Sequence, residues 1–360
     1  MQLFNFPYVV QKEVLDLFSG NEILLLSMCS TNTRNLILFN QKARFDGIGI
    51  EYSVDQRNTN VRAVHCSRDY STLLSIIPTF GTNRLIESKI SGTTVQFLMG
   101  SQMAAIHNDP PPPPMFFDDS HVTSGVSHMS QITESVHEYL HSLFENRAKY
   151  ILNVNEISTR TAVHSLPVLK NIKWADIRGT TIQAKLLEEV FSMPAKHYHI
   201  VLDVKILGEL SEHSPIFNAE SLKISTQYRK FHSKIFTHFN GKKLIISLDE
   251  HAISEVIKFL NGWKSNSVGR NLESVRIRPC SVQHMPQTFR RIDQIHDILG
   301  MKKLKTTEPV LLVNGTKKTR DYIVRETDGR VAALLVTKCE IQFQVSDLTE
   351  KELLEIDNKE

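Results

Sequence analysis

Apolar positions at the start of the chain crowd closer than one helix can bury. Val10, Val14, Leu17 and Phe18 recur at helical spacing with Gln11, Lys12, Glu13 and Asp16 between them. Pro7 ahead of them suits a first helical turn, where no backbone N–H is needed. Ser19-Gly20 ends that helix, and Ser19-x-x-Glu22 has capping-box spacing just before Ile23-Leu24-Leu25-Leu26. That second helix is too short for a single apolar stripe. A third follows the polar break Ser30-Thr31-Asn32 and carries Leu36 and Ile37. About forty residues rarely close a core of their own. The surplus faces therefore pack either on the rest of the chain or on a partner.

Weaker alternation follows. Residues 45–52 and 61–66 are expected as strands, and 85–90 with 94–98 as a hairpin around Ser91-Gly92. The five prolines 110–114 are expected to be extended, as a stiff spacer or as a ligand for an aromatic-lined groove, with the spacer favoured because no basic residue flanks the run. Residues 132–150 are expected as one helix with Ile132, Val136, Tyr139, Leu140, Leu143 and Phe144 on its apolar face. From about 166 strands and helices alternate: strands at 172–177, 199–204, 222–225, 243–248 and 272–277, helices at 183–191, 232–239 and 253–263. The strands at 222, 243 and 272 lie roughly 20–30 residues apart, a spacing of leucine-rich and related solenoids. Such a rhythm implies parallel pairing through crossovers. The chain then turns to a hairpin, 322–326 and 331–337 around Asp328-Gly329, with a third strand at 340–345.

The expected fold class is α+β: a small amino-terminal three-helix unit, then an irregular α/β repeat-like (leucine-rich-repeat-like) domain with a terminal β-hairpin. The expected boundaries are 1–42 for the helices, 43–150 for hairpins, proline loop and long helix, 151–346 for the repeat-like domain, and 347–360 for a frayed, charged tail.

Composition narrows the function classes. The 360 residues are 41% hydrophobic and 22% charged, as in an ordinary globular chain. The net charge of +3 is too small to imply nucleic acid. The four cysteines are scattered with no C-x-x-C pair, which fits a reducing compartment and no zinc ribbon. No basic-then-apolar leader opens the chain and no apolar run reaches 18 residues, so no membrane partner is expected and the location is intracellular, cytoplasmic or nuclear.

One catalytic pattern stands out. His137-Glu138-Tyr139-Leu140-His141 matches H-E-x-x-H, in which two histidines on one helix face hold zinc beside a glutamate base. A catalytic zinc needs a third ligand, and the metzincin continuation is broken by Phe144 and Arg147. On a helical wheel the histidines flank the apolar face while Glu138 points nearly opposite, so a solvated helix flank is expected and no metal. No phosphate loop or nucleophile elbow is present. Residues 264–330 carry 14 Lys+Arg and 7 Asp+Glu. Within them Arg276 and Arg278 alternate along one strand face, and Lys317 and Lys318 fall in an expected loop. These four are the candidate substrate-binding residues, suited to acidic partners.

The opening block resembles an F-box. The residues that carry the likeness are Phe6-Pro7, Val14-Leu15, Phe18, Asn21-Glu22-Ile23, Leu26-Ser27, Cys29-Ser30, Arg34 and Leu36-Ile37. Phe6 stands where Leu is usual, and Thr33 near a position where many F-boxes have Trp, as in the expanded nematode families. Further on, Ser221–Ser225, Lys243–Leu248, Phe259-Leu260-x-x-Trp263 with Asn271-Leu272-Glu273, and the Arg325–Arg330 hairpin are similar to the type-2 F-box-associated domain. The resemblance implies a substrate receptor of an SCF-type (cullin-RING) ubiquitin ligase, which makes and breaks no bond itself and uses no cofactor. Its partners would be a Skp-family adaptor, the cullin-RING ligase through that adaptor, and an unknown protein substrate. Phe6, Pro7, Val10, Val14, Leu15, Phe18, Ile23, Leu26 and Cys29 would then meet the adaptor. The competing classes are a zinc metallopeptidase built on the H-E-x-x-H match and a solenoid interaction protein with no ligase link.

Overall fold

The computed structural model describes residues 3–41, 44–53, 58–64, 70–76, 85–90, 93–98, 119–144, 148–157, 166–192, 199–225, 229–248, 253–279, 292–306, 311–313, 317–337 and 340–358. The proline run 110–114 lies outside them. The chain divides into two compact units, Met1–Trp174 with Ser192–Ala195, and Ala175–Phe191 with Lys196–Glu360. Helices and mixed sheet make it α+β.

The first unit begins with the three expected helices, α1 (Tyr8–Leu17), α2 (Gly20–Cys29) and α3 (Thr31–Asn40). Pro7 occupies the position before α1, and its carbonyl accepts the Gln11 N–H at 3.1 Å. The Glu22 carboxylate accepts the Ser19 N–H at 2.7 Å, so the capping box forms as spaced. Ser30 starts α3 by accepting the Thr33 N–H at 3.1 Å. Arg44 closes the end of α1: its guanidinium donates to the carbonyls of Leu15, at 3.0 Å, and Phe18.

Strands β1 (Gly47–Ser53), β2 (Asn58–Val64) and β3 (Tyr70–Ile76) form an antiparallel run, and β4 (Leu85–Ile90) pairs with β5 (Thr93–Leu98) as the expected hairpin. The long helix α4 spans Asp119–Phe144, and Lys149–Ile157 is a strand, β6. The expected helix over 132–150 therefore ends early. Ala148, Tyr150, Leu152 and Val154 are buried because β6 pairs in parallel with β1. β6 thus belongs to the first unit, which continues to Trp174. Gly20 explains how closely α2 approaches β3: a Cβ there would lie 2.5 Å from the Leu73 side chain.

In the second unit strand and helix alternate as expected. After β7 (Ile172–Gln183) come α5 (Ala184–Val190), β8 (His199–Leu207), β9 (Ser221–Ile224), α6 (Arg229–His238), β10 (Lys243–Leu248), α7 (Ile253–Lys264), β11 (Ser274–Pro279) and α8 (Ile292–Leu299). Strands β8 to β11 are parallel. The remaining strands are β12 (Lys302–Lys303), β13 (Leu311–Val313), β14 (Lys317–Thr319), β15 (Asp321–Val324), β16 (Arg330–Val336) and β17 (Ile341–Thr349). β17 joins β11 antiparallel, then β16 and β15 follow. One sheet face is apolar. Leu222, Leu244, Val275 and Phe343 are buried on it, and the Trp263 ring of α7 meets Phe343 edge-on at 4.9 Å. Gly241, in the turn before β10, sits so tightly that a Cβ would be 1.9 Å from the Ala219 carbonyl oxygen.

Two expectations fail here. Lys317 and Lys318 lie in strand β14, paired with β13, where a loop was expected. The tail 347–360 is not frayed over its described residues: β17 runs to Thr349 and helix α9 spans Glu350–Asp357. Thr349 and Glu352 form a capping box, Leu353 is buried, and the Asp357 carboxylate accepts the Lys305 and Thr306 N–H groups at 3.0 and 2.8 Å.

Candidate functional site

The three helices satisfy themselves on one side and expose apolar surface on the other. Leu15, Ile23, Leu24 and Ile37 are buried. The unit is tied to α4, where Arg34 donates to Ser142 Oγ at 2.8 Å and Tyr139 donates to Ser27 Oγ at 2.9 Å. Away from those contacts Val9 is 65%, Phe39 72% and Leu17 87% exposed, and Phe4, Phe6, Tyr8 and Val10 are exposed as well. On α1, Val9, Val10 and Leu17 fall within about 100° of one another. Tyr8 reaches α3, where its ring meets Phe39 edge-on at 5.5 Å. The Gln11 amide donates to the Phe6 carbonyl at 2.7 Å and holds the preceding turn in place. Val9, Val10 and Leu17 are thus exposed along α1, and Tyr8 and Phe39 form a second exposed apolar contact between α1 and α3.

Of the nine residues expected to meet an adaptor, Phe6, Pro7, Val10 and Cys29 are exposed and Val14, Phe18 and Leu26 half-buried. Leu15 and Ile23 are fully buried. They hold the helices together, because α1 turns its Leu15 side inward onto the chain's own core. Val9, Leu17 and Phe39, the most exposed large apolar residues of the helices, were not among the nine. Their signal was apolar residues off the stripe that Leu15 defines.

The H-E-x-x-H match is built into packing. His137, expected on a solvated flank, is only 1% exposed. The Tyr150 ring of β6 covers it edge-on at 4.9 Å, a neighbour that the helical wheel could not include. Its Nε2–H donates to the Lys170 carbonyl at 2.7 Å. Burial lowers its pKa from 6.5 to about 4, which keeps the ring neutral. Glu138 turns outward to Lys170 Nζ at 2.8 Å, and Asn171 Nδ2 donates to His141 Nε2 at 2.8 Å. His137 Nε2, Glu138 and His141 Nε2 are thus each engaged by a neighbouring group, while His137 Nδ1 is buried without a hydrogen-bond partner. Among the described residues, no group of three or more His, Cys, Asp and Glu side chains is placed to hold a metal.

In the second unit Arg276 and Arg278 do share a face, as expected, and both turn to one carboxylate. Arg276 Nε donates to Glu340 Oε2 at 2.8 Å, and Arg278 Nε lies 3.6 Å from the same oxygen. Gln342 donates to the other oxygen. Glu340 is nearly buried, whereas both guanidiniums reach water. Glu340's part is not legible along the chain, since it depends on β17 returning beside β11.

No helix among the described residues is long and apolar enough to cross a membrane. No family model matches the chain, and neither a curated protein nor a solved structure matches it significantly.

Proposed function

We propose that the chain is the substrate-recognition subunit of an SCF-type cullin-RING ubiquitin ligase, working inside the cell in cytoplasm or nucleus. The helices α1–α3 act as an F-box and dock on a Skp-family adaptor. The second unit, read as a type-2 F-box-associated domain with leucine-rich-repeat-like rhythm, holds a protein substrate. The carrying observation is the exposed apolar face of Val9, Val10, Leu17 and Phe39 on helices whose opposite side is already packed. Large apolar side chains left exposed on one small packed unit mark an interaction surface. The receptor raises the effective concentration of substrate lysines near a separate ubiquitin-carrying enzyme on the cullin-RING arm.

The peptidase alternative needs Glu138 beside a metal held by His137 and His141, and Glu138 instead pairs outward with Lys170. A solenoid without ligase link is separated by adaptor binding. The test is capture of a purified Skp-family adaptor by the full chain and by Val9→Asp/Leu17→Asp/Phe39→Asp. Each buried apolar side chain contributes roughly 1.5–3 kcal/mol, so the variant should bind more than about a hundredfold more weakly with an unchanged melting temperature. Equal binding by both would refute the docking face, and no binding by the parent would refute the ligase link.

A further inference from the structure

We infer that the open face of the second unit's sheet is the substrate surface, and that it takes an acidic peptide segment bearing an apolar side chain. This rests on the receptor reading above and gives it a ligand chemistry. Cross-strand register sets His199, Ser221, Lys243, Ser274 and Gln344 on one rung, and Val201, Lys223, Ile245, Arg276 and Gln342 on the next. Side chains alternate along strands, so these all lie on the face opposite Leu222, Leu244, Val275 and Phe343. Where both rungs continue into β16, at Ala333 and Leu335, the face is covered: Leu311 of β13 and Leu353 of α9 pack there with Val331 and Ala333. Over β10 and β11 a groove of about 1060 Å³ opens beside that step, with Lys243, Ile245, Ser274 and Arg276 among its floor residues and Leu311 and Leu353 on its apolar wall.

The charges favour an acidic occupant. Lys223, Lys243, Arg276 and Arg278 share the face, and Glu340 is already engaged by both arginines. At the mouth Glu220 and Glu273 are held by Lys242, at 2.9 and 3.8 Å, which leaves Asp347 as the further acid of the lining. The floor is thus positive, with two lysines and two arginines around one carboxylate, while the mouth keeps three carboxylates against Lys242. Glu340 acts as a positioning residue that holds both guanidiniums by their Nε edges. Guanidinium forks suit carboxylates, and the leucine wall adds a place for one apolar side chain. Four strands at about 4.8 Å spacing give a floor roughly 15 Å wide, which suits an extended segment.

The test pans a random dodecapeptide display library on the immobilised full chain, with Lys223→Gln/Lys243→Gln as the comparison. Both lysines are exposed, so the variant folds, as a matching melting curve will check. Enriched peptides should be rich in Asp and Glu around an apolar residue. The strongest, measured by fluorescence anisotropy, should bind the variant about tenfold more weakly. Its affinity for the parent should fall between about 50 and 150 mM salt as screening grows. Peptides without acidic bias, equal binding by the variant, or no enrichment over bare resin would each overturn the inference. Adaptor capture is run on the same preparations. Adaptor binding without acidic enrichment sinks this inference alone, and acidic enrichment without adaptor binding sinks the ligase reading alone.

Discussion

The helices α1–α3 and the open face of the β8–β11 sheet offer water opposite kinds of surface. On the helices Val9, Leu17 and Phe39 hold large apolar side chains out to water. On the sheet the side chains that reach water are charged, and Arg276 and Arg278 are anchored by the nearly buried Glu340. The first kind of surface gains by being covered, since apolar area removed from water contributes about 25 cal/mol per Å² whatever the partner's detail. The second gains little from area and depends on where the opposing charge sits, which favours selection. That difference fits the proposed division of labour, a constant partner on the helices and a chosen one on the sheet.

The sharpest break compares two leucines of one helix. Leu15 is fully buried and Leu17 is 87% exposed. Leu15→Asp should lower unfolding free energy by at least about 4 kcal/mol, because it buries a charge with no partner. Leu17→Asp should change stability by no more than about 0.5 kcal/mol and act on adaptor binding instead. Urea titration of both variants checks this.

On the sheet side, Glu340→Ala leaves two guanidiniums without their carboxylate. The expected loss is about 2–3 kcal/mol, at the low end for a broken ion pair because both arginines reach water. Urea titration beside Arg278→Ala, which retains the 2.8 Å bond and should cost less, shows whether Glu340 organises the face.

The third expectation concerns pH and lies in the first unit. The His137 pKa is lowered to about 4, against 6.5 for an unburied histidine, chiefly by burial. The unfolded chain therefore takes up this proton first as pH falls below 6.5. Stability from the neutral ring is complete above that value and is lost progressively as pH falls towards 4. Between pH 7 and 5 the loss should be about 2 kcal/mol. That part of the pH slope should vanish in His137→Gln, by urea titration at both values.

The smallest effect should come from Glu138→Gln. Its bridge to Lys170 is exposed on both sides, and such pairs contribute little. No measurable change in melting temperature is expected. A zinc-dependent peptidase activity that this substitution abolished would instead restore the metal reading.

The sequence by itself determined what is local. Pro7, the Ser19/Glu22 box and Ser30 set the starts of α1, α2 and α3, since a helix end is settled by groups within a few residues of it. Alternating strand and helix likewise implied the parallel β8–β11 pairing. The Thr349/Glu352 box was equally readable, but the density of charge around Leu353 hid the helix it starts. Which apolar side faces inward was decided only by tertiary structure. Val10 and Leu15 read alike along the chain, and one is exposed and the other sealed because α2, α3 and Arg44 close on one side of α1 alone. His137 is dry because Tyr150, thirteen residues on, returns over it, and Arg276 acquires its counterion from a residue 64 positions away. Helical and strand periodicity fix which residues share a face; the partner that covers that face comes from distant chain, and no local pattern encodes it.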